Sequence, residues 1–548
     1  MALNPPASTA DTIARIEQAA RGADRGVAIS LAVEALRRGV RHPVVWTLVA
    51  EGLQGQGRLP EALKLLQQAT AAAPDDARTW FGLGRVLFSL GRREDAGVAL
   101  DRGLMLSPGD YRGRIDAGTL RLRLGELQAA SDHFQRAAEI APEAAEPLSA
   151  LAVVAGLAGD SSAARGAATR ALALDPALIS AQIAIARADL LDGHPARAAE
   201  RLTGLLVRTH LAEAQRIDIH DLRAECLDTL DRPAEAFADY AARNEVLRQV
   251  HAPSLAKAGQ EGQGDRARRL ADWFEATPAG PWRSPASADA VGERATRQHV
   301  FLIGFPRSGT TLLEKALSSH PDIVSLEEVD VLGAVGNSLM APGADLDRLI
   351  HMTAREADAL RQAYWRGVDE AMEAPIAGKI FIDKLPLHTS SLPLIARLFP
   401  GARILLALRD PRDVVFSCFR RRFRVNAAMF EFLTLEGAAR YYDAVMRMAA
   451  ACRGVLPLAV HAVRHEAVVA DFEAELARAL GFVGAPWNPD VGNFAALART
   501  STRTPSAPQV ARGLNADGVA QWRRYRAQLA PIAPILEPWV ARFGYDAD

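Results

Sequence analysis

Three shortages bound what this chain can be. Only three cysteines, Cys226, Cys418 and Cys452, occur in 548 residues. They are odd in number and far apart, which excludes a closed disulfide framework and matches no metal-ligand spacing. A reducing compartment fits. No run of about 18 uninterrupted apolar residues is present, and the opening MALNPPASTADTIARIEQAARG has no basic segment leading into an apolar core, so neither a membrane span nor a secretory leader is expected. An excess of one charge is also lacking, since Lys+Arg of 64 against Asp+Glu of 65 leaves -1. No overall field draws in nucleic acid or an anionic membrane, and any anion site has to be local. The chain reads as cytoplasmic and soluble. Its length is too great for a single core, so two domains are expected.

What is present first is a repeat. Pro74, Pro108, Pro142 and Pro176 recur at an interval of 34 residues, and so do Gly57, Gly91, Gly125, Gly159 and Gly193, and Ala62, Ala96, Ala130, Ala164 and Ala198. Three residue types in one phase mark a repeated supersecondary unit. Within residues 77–110, Trp80, Leu83, Gly84 and Leu87 form one helical face, Ala96, Leu100 and Gly103 a second, and Gly91 separates them. Small residues at Gly84 and Ala96 let the paired helices approach, and each proline stops the second helix. These positions resemble those of the tetratricopeptide repeat family, with five units over 43–212, a degenerate one around Ala28 and Ala35, and a shifted one around Ala236. The flanking units are expected to cap the stack. From 251 to 296 the periodicity fails in a Pro-, Gly-, Ala- and Ser-rich stretch, read as a linker with a short helix whose Trp273 and Phe274 pack rather than do chemistry.

The segment HVFLIGFPRSGTTLLEKALSSHP then reads as a buried strand, a turn and a helix from Thr311. A loop entering a helix N-terminus offers backbone N–H groups and the positive end of the dipole to a phosphate. Gly304 and Gly309 fit the spacing of the nucleotide triphosphatase loop, but Thr310 stands where that loop has lysine, and the cation is Arg307 instead. A second block, RILLALRDPRDVVFSCF, is again strand, charged turn and helix.

The run Pro306, Arg307, Ser308, Gly309, Thr310, Thr311 and Leu312 resembles the 5'-phosphosulfate loop of sulfotransferases that use 3'-phosphoadenosine-5'-phosphosulfate. The resemblance implies that Arg409 and Ser417 of the second block bind the 3'-phosphate. It is nearest to tyrosylprotein sulfotransferases, which places the base at Glu328, with Glu327 the alternative, and the lysine that neutralises the leaving group at Lys384. Pro386 stands where small-molecule sulfotransferases carry their histidine, which makes His388 a loop residue. Ser506 and Arg512 fall in a stretch similar to the late loop that closes on the donor. RRRFRV at Arg420–Val425 reads as a solvated helix end sooner than as an acceptor-facing strip, and Trp522 and Tyr525 read as packing.

The fold expected is an all-α tetratricopeptide-repeat solenoid (10–250), a linker (251–296) and an α/β P-loop-like sulfotransferase domain with a mainly parallel sheet (297–548). Arg307, Glu328 and Lys384 form the expected catalytic set, because sulfuryl transfer needs a base for the acceptor proton and cations where charge grows. No acidic pair with a nearby hydroxyl suggests magnesium, so no metal is expected. The expected partner is an acceptor hydroxyl, on a protein or peptide held by the repeats or on carbohydrate. The rival reading is an interaction scaffold on an idle transferase fold. A nucleotide kinase is disfavoured by Thr310.

Overall fold

The computed structural model describes residues 8–21, 25–208, 210–257, 261–278, 280–283, 296–372, 374–500 and 507–546. It divides into two compact units, Met1–Leu211 and Ala212–Asp548.

The first unit is a stack of paired helices. Five pairs follow the period, from Pro43–Gly55 with Leu59–Ala72 to Ile179–Leu191 with Pro195–Leu206, and Thr9–Arg21 with Arg25–Arg37 precede them. The recurring glycines have one cause. Gly57, Gly91, Gly125, Gly159 and Gly193 all have φ between 73° and 84°, and a Cβ there would meet no neighbour, so backbone conformation rather than space selects glycine. Gly84 answers to the opposite constraint, since its Cβ would stand 2.6 Å from Leu100 Cγ in the partner helix. Each recurring proline falls two residues beyond a helix end, and the Trp80 indole N–H donates to the carbonyl of Pro74 at 2.8 Å. Ala28 and Ala35, the marks of the degenerate unit, are buried.

The second unit opens on a further helix pair, Glu213–Thr229 and Pro233–Lys257, which carries Ala236. The shifted repeat therefore belongs to the same compact unit as the sheet. The stretch with linker composition contains the 14-residue helix Gln263–Ala276. Its Leu270, Ala271 and Phe274 are buried in one cluster with Phe301, Phe381 and Phe399. Trp273 packs at the edge of that cluster, its indole N–H on Asp347 Oδ1 at 3.0 Å.

Five strands, β1 (Gln298–Ile303), β2 (Ile323–Glu327), β3 (Ile380–Lys384), β4 (Arg403–Leu408) and β5 (Ala459–Arg464), form a sheet in the order β2-β3-β1-β4-β5. Every pairing is parallel, so each connection is a crossover carrying helix. Alternate residues feed two cores. Val300, Leu302, Ile380, Ile382 and Leu405 join one, and Phe301, Ile303, Phe381, Ile404 and Leu406 the other. Burial on both faces is why these strands read as unbroken apolar runs. Among the described residues no helix is long and apolar enough to cross a membrane.

Candidate functional site

Parallel strands deliver their carboxyl ends to one edge of the sheet, where loops diverge and leave a crevice. The expected site residues stand at that edge: Glu327 at the end of β2 and Glu328 just after it, Lys384 at the end of β3, the loop from Gly304 after β1, and Arg409 after β4. They form two groups.

The first group lines a cavity of about 470 Å³, bounded by Arg307, Gly309–Leu312, Arg409, Ser417, His465 and Gln509 among others. The helix Thr310–Ser318 points its N-terminus here, and no side chain caps it. Its N-cap, Gly309, has φ 93°, and a Cβ there would lie 2.8 Å from His465 Nδ1. Arg307 adopts φ 73° despite its side chain, a strained conformation that persists only where surroundings impose it. Its Nε donates to Ser417 Oγ at 3.0 Å and its Nη2 to Gln509 Oε1 at 2.6 Å, while its carbonyl accepts from Arg409 Nη1 at 3.0 Å. The loop block and the second block thus meet through Arg307. Ser417, expected to share a phosphate with Arg409, is tied to Arg307 as well. Arg409 also donates to the carbonyl of Gly518, and its buried Nε has no hydrogen-bond partner.

Like charges crowd this cavity. Burial, then the Arg421 and Arg409 guanidiniums, push Arg307 down to about 9. Burial, then Arg409 and Arg307, push His465 down to about 3. An anion placed among them would relieve that repulsion. Pro306 and Ser308 belong to the loop without lining the cavity; the Pro306 carbonyl accepts from Cys418 Sγ at 3.3 Å, and Ser308 is buried.

The second group is the carboxylate and lysine set at the ends of β2 and β3. Lys384, fully buried, donates through Nζ to Glu328 Oε1 at 2.9 Å, and its carbonyl accepts from the Glu328 N–H at 2.9 Å. Glu328 has φ 52°, the second strained side-chain-bearing residue of the site. Glu327 is placed differently. Its side chain is 11% exposed and sits between Lys315 Nζ at 2.9 Å and Lys384 Nζ at 3.7 Å, whereas that of Glu328 is 28% exposed. Glu314 closes the network beneath them, held up by burial against the pull of Lys384 and Lys315. Glu328 and Lys384 are not among the residues lining the cavity.

Three placements differ from, or add to, the reading of the sequence. Of the stretch read as a solvated helix end, Arg422 is exposed but Arg420 and Arg421 are partly buried. Arg422 pairs with Asp218 at 2.6 Å and Arg420 approaches Asp228 at 3.5 Å, both on the helix Glu213–Thr229, and buried Arg243 donates to the carbonyls of Phe419 and Arg420. Ser506 lies outside the described residues, while Arg512 lines the cavity from a largely exposed position. His465, Gln509 and Gly518 lack a motif of their own. Gln509 stands three residues beyond Ser506, within the stretch already suspected of closing on a ligand, but His465 follows an edge strand with no signal. Asp413 pins the last of these segments by accepting from the N–H groups of Ala520 and Trp522, each at 2.8 Å. Trp522 and Tyr525 are buried packing residues, as expected. Among the described residues no cluster of three or more His, Cys, Asp or Glu could hold a metal ion.

Comparison with known proteins adds a family to this geometry. Residues 299–489 match the sulfotransferase family and residues 53–112 the tetratricopeptide repeat. Protein-tyrosine sulfotransferase 1 of Danio rerio is 28% identical over 264 residues, 45% of this chain and 72% of the relative. Protein-tyrosine sulfotransferase A of Caenorhabditis elegans is 27% identical over 277 residues, 46% of this chain and 69% of the relative. An uncharacterised Aquifex aeolicus protein is 23% identical over 254 residues, a match spanning 32% of that protein. Among solved structures, a tetratricopeptide repeat protein from Parabacteroides merdae aligns over 43% of this chain and 93% of its own with a TM-score of 0.36 at 15% identity.

Proposed function

We propose that this chain, a tetratricopeptide-repeat region joined to a domain of the sulfotransferase family, transfers a sulfuryl group from 3'-phosphoadenosine-5'-phosphosulfate to an acceptor hydroxyl. The donor supplies the activated sulfuryl group. The observation that carries the reading is the cavity in which Arg307, Arg409, Ser417 and an uncapped helix N-terminus converge, a donor set suited to an anion such as phosphate. The size of that cavity is ordinary for a nucleotide-sized ligand.

In this reading Pro306–Leu312 hold the 5' end of the donor, and Arg409 with Ser417 hold the 3'-phosphate. Glu328 removes the acceptor proton as the new S–O bond forms, and the S–O bond to the 5'-phosphate breaks with its electron pair going to the phosphate. Arg307 and Lys384 answer the charge that grows there. The Lys384–Glu328 pair links these events, because a protonated Glu328 holds Lys384 less strongly and frees its ammonium for the departing phosphate. Glu328 is favoured over Glu327 as base because Glu327 is enclosed by two lysines. The protein works as a soluble cytoplasmic enzyme without a metal, and the repeats present the acceptor or a partner. The names of the relatives make peptide tyrosine the first acceptor to try.

The test is calorimetric titration with 3'-phosphoadenosine-5'-phosphate, paired with radiolabelled transfer in the presence of a chelator. Arg307→Ala should weaken nucleotide binding by about 10- to 100-fold, the value of a charged hydrogen-bonding partner of roughly 1.5–3 kcal/mol, with circular dichroism unchanged. Equal affinity in the variant would remove the assignment of the loop. Tight nucleotide binding without transfer to any acceptor would favour the scaffold reading, and activity lost to chelator and restored by magnesium would favour a kinase.

A further inference from the structure

The reaction centre depends on two strand ends keeping register, and a histidine read from sequence as a loop residue stands between their supports. Lys384 and Asp383 are successive residues of β3, so their side chains leave on opposite faces. Lys384 meets Glu328 on one face. On the other, Asp383 is fully buried and accepts from the Tyr364 hydroxyl at 2.7 Å, which also meets His299 Nε2 at 3.1 Å.

The segment after β2 has its own support. Asp330, two residues beyond strained Glu328, caps the following helix by accepting from the Gly333 N–H at 2.8 Å. His388 lies between these two carboxylates. Its Nε2 is 3.3 Å from Asp330 Oδ1 and its Nδ1 is 3.7 Å from Asp383 Oδ1. The ring is 3% exposed, and both His388 Nδ1 and Asp383 Oδ1 are buried, face each other beyond hydrogen-bond reach and have no hydrogen-bond partner.

We propose that His388 is a positioning residue that ties the Glu328 turn to the end of β3, so that Glu328 and Lys384 stay aimed at each other and at the acceptor. Its effect on turnover rests on the sulfuryl-transfer reading, whereas its effect on the turn does not. An imidazole suits the task because it offers two polar atoms at opposite edges of a rigid ring, one for each carboxylate. A neutral Asp383–His388 pair needs one proton between its facing atoms, and burial pushes the Asp383 carboxyl up, against the pull of His388 and the Tyr364 hydroxyl. The groups around the imidazole are Asp330, Asp383 and His299, with the Phe301 ring at 6.1 Å. His388 itself exchanges no proton with substrate in this account.

The test uses the full chain, with hydrogen exchange across 326–330, nucleotide affinity by calorimetry, and turnover read as release of 3'-phosphoadenosine-5'-phosphate with 4-nitrophenol or water as acceptor. His388→Ala should speed exchange at the Glu328 amide about tenfold or more and lower kcat about tenfold, with exchange over 307–312, donor KM and nucleotide affinity unchanged. His388→Gln, whose amide extends toward the place of Nε2, should recover both readouts. Asp330→Ser keeps a cap for Gly333 but is too short to meet His388. It should reproduce the losses from a half-exposed position, which preserves the test if the alanine variant does not fold. Unchanged Glu328 exchange in the serine variant, unchanged kcat despite faster exchange, or loss of nucleotide affinity in step with kcat would each overturn the proposal. A wild-type protein that binds the nucleotide but consumes no donor fails the transfer reading instead, and the exchange pattern still decides for or against the tie.

Discussion

Glu327 and Glu328 are neighbours with different work. The first completes a buried charge network with Lys315 and Lys384, and the second leaves the strand at positive φ with a more accessible carboxylate. Glu328→Gln should therefore keep nucleotide affinity and lower turnover by about 100-fold or more. Glu327→Gln should do the reverse, costing about 1–3 kcal/mol of stability by removing the nearer of the two carboxylates that buried Lys315 meets and lowering turnover less. Denaturant titration beside a turnover assay separates them, and the opposite order would move the base to Glu327. His465 gives a pH signature. Its folded value of about 3 lies below the ordinary 6.5, so between these values the unfolded chain takes up the proton more readily. Stability is fully kept above about pH 6.5 and falls as pH drops below it, by up to about 1.4 kcal/mol per unit. His465→Gln should flatten that part of the stability profile, and an unaltered slope would mean another group is responsible. The loop and the second block were legible because strand-turn-helix patterns are local. His465 was not, since its place is fixed only when β5 pairs with β4.

At the scale of elements, the helix Gln263–Ala276 shows how composition misleads. Gly, Pro, Ala and Ser on either side of it give the whole stretch a linker signature, yet Leu270, Ala271 and Phe274 reach a core built from residues far along the chain. No window of sequence contains that core. The paired helices Glu213–Thr229 and Pro233–Lys257 resemble repeats for the same local reasons that make the solenoid legible, but Leu227, Ala236 and Tyr240 pack with Phe416, Phe419 and Trp522. Phe274→Ala should cost about 3–5 kcal/mol, the usual penalty for emptying a buried aromatic position, read from the denaturation midpoint. A chain starting near residue 212 should fold and bind the nucleotide. One starting near 290 should not, because it lacks all three helices. A stable, nucleotide-binding product from the shorter chain would show that these helices are dispensable.

For the whole molecule the question is what the repeats contribute. Within the first unit, a groove of about 640 Å³ has Val44, Leu48 and Phe81 among its walls, with Arg25–Glu51, Arg78–Asp76 and Arg85–Asp116 pairs around them. Apolar ground ringed by paired charges can accept an extended peptide whose own charges compete for those partners. None of the phosphate-binding candidates lies in this unit. Removing residues 1–211 should therefore leave nucleotide affinity unchanged. Turnover on a protein acceptor should fall through a higher KM, because contacts remote from the reacting hydroxyl are lost, while a small phenol, which never reached the groove, should keep its kcat/KM. Raising salt should weaken the full-length protein's preference for the large acceptor and leave the truncated protein's behaviour nearly constant. If the repeats are instead a brace for the second unit, truncation harms both acceptor classes alike and lowers nucleotide affinity with them. One soluble preparation of residues 212–548, compared with the full chain on a tyrosine-containing protein and on 4-nitrophenol, decides between the two roles.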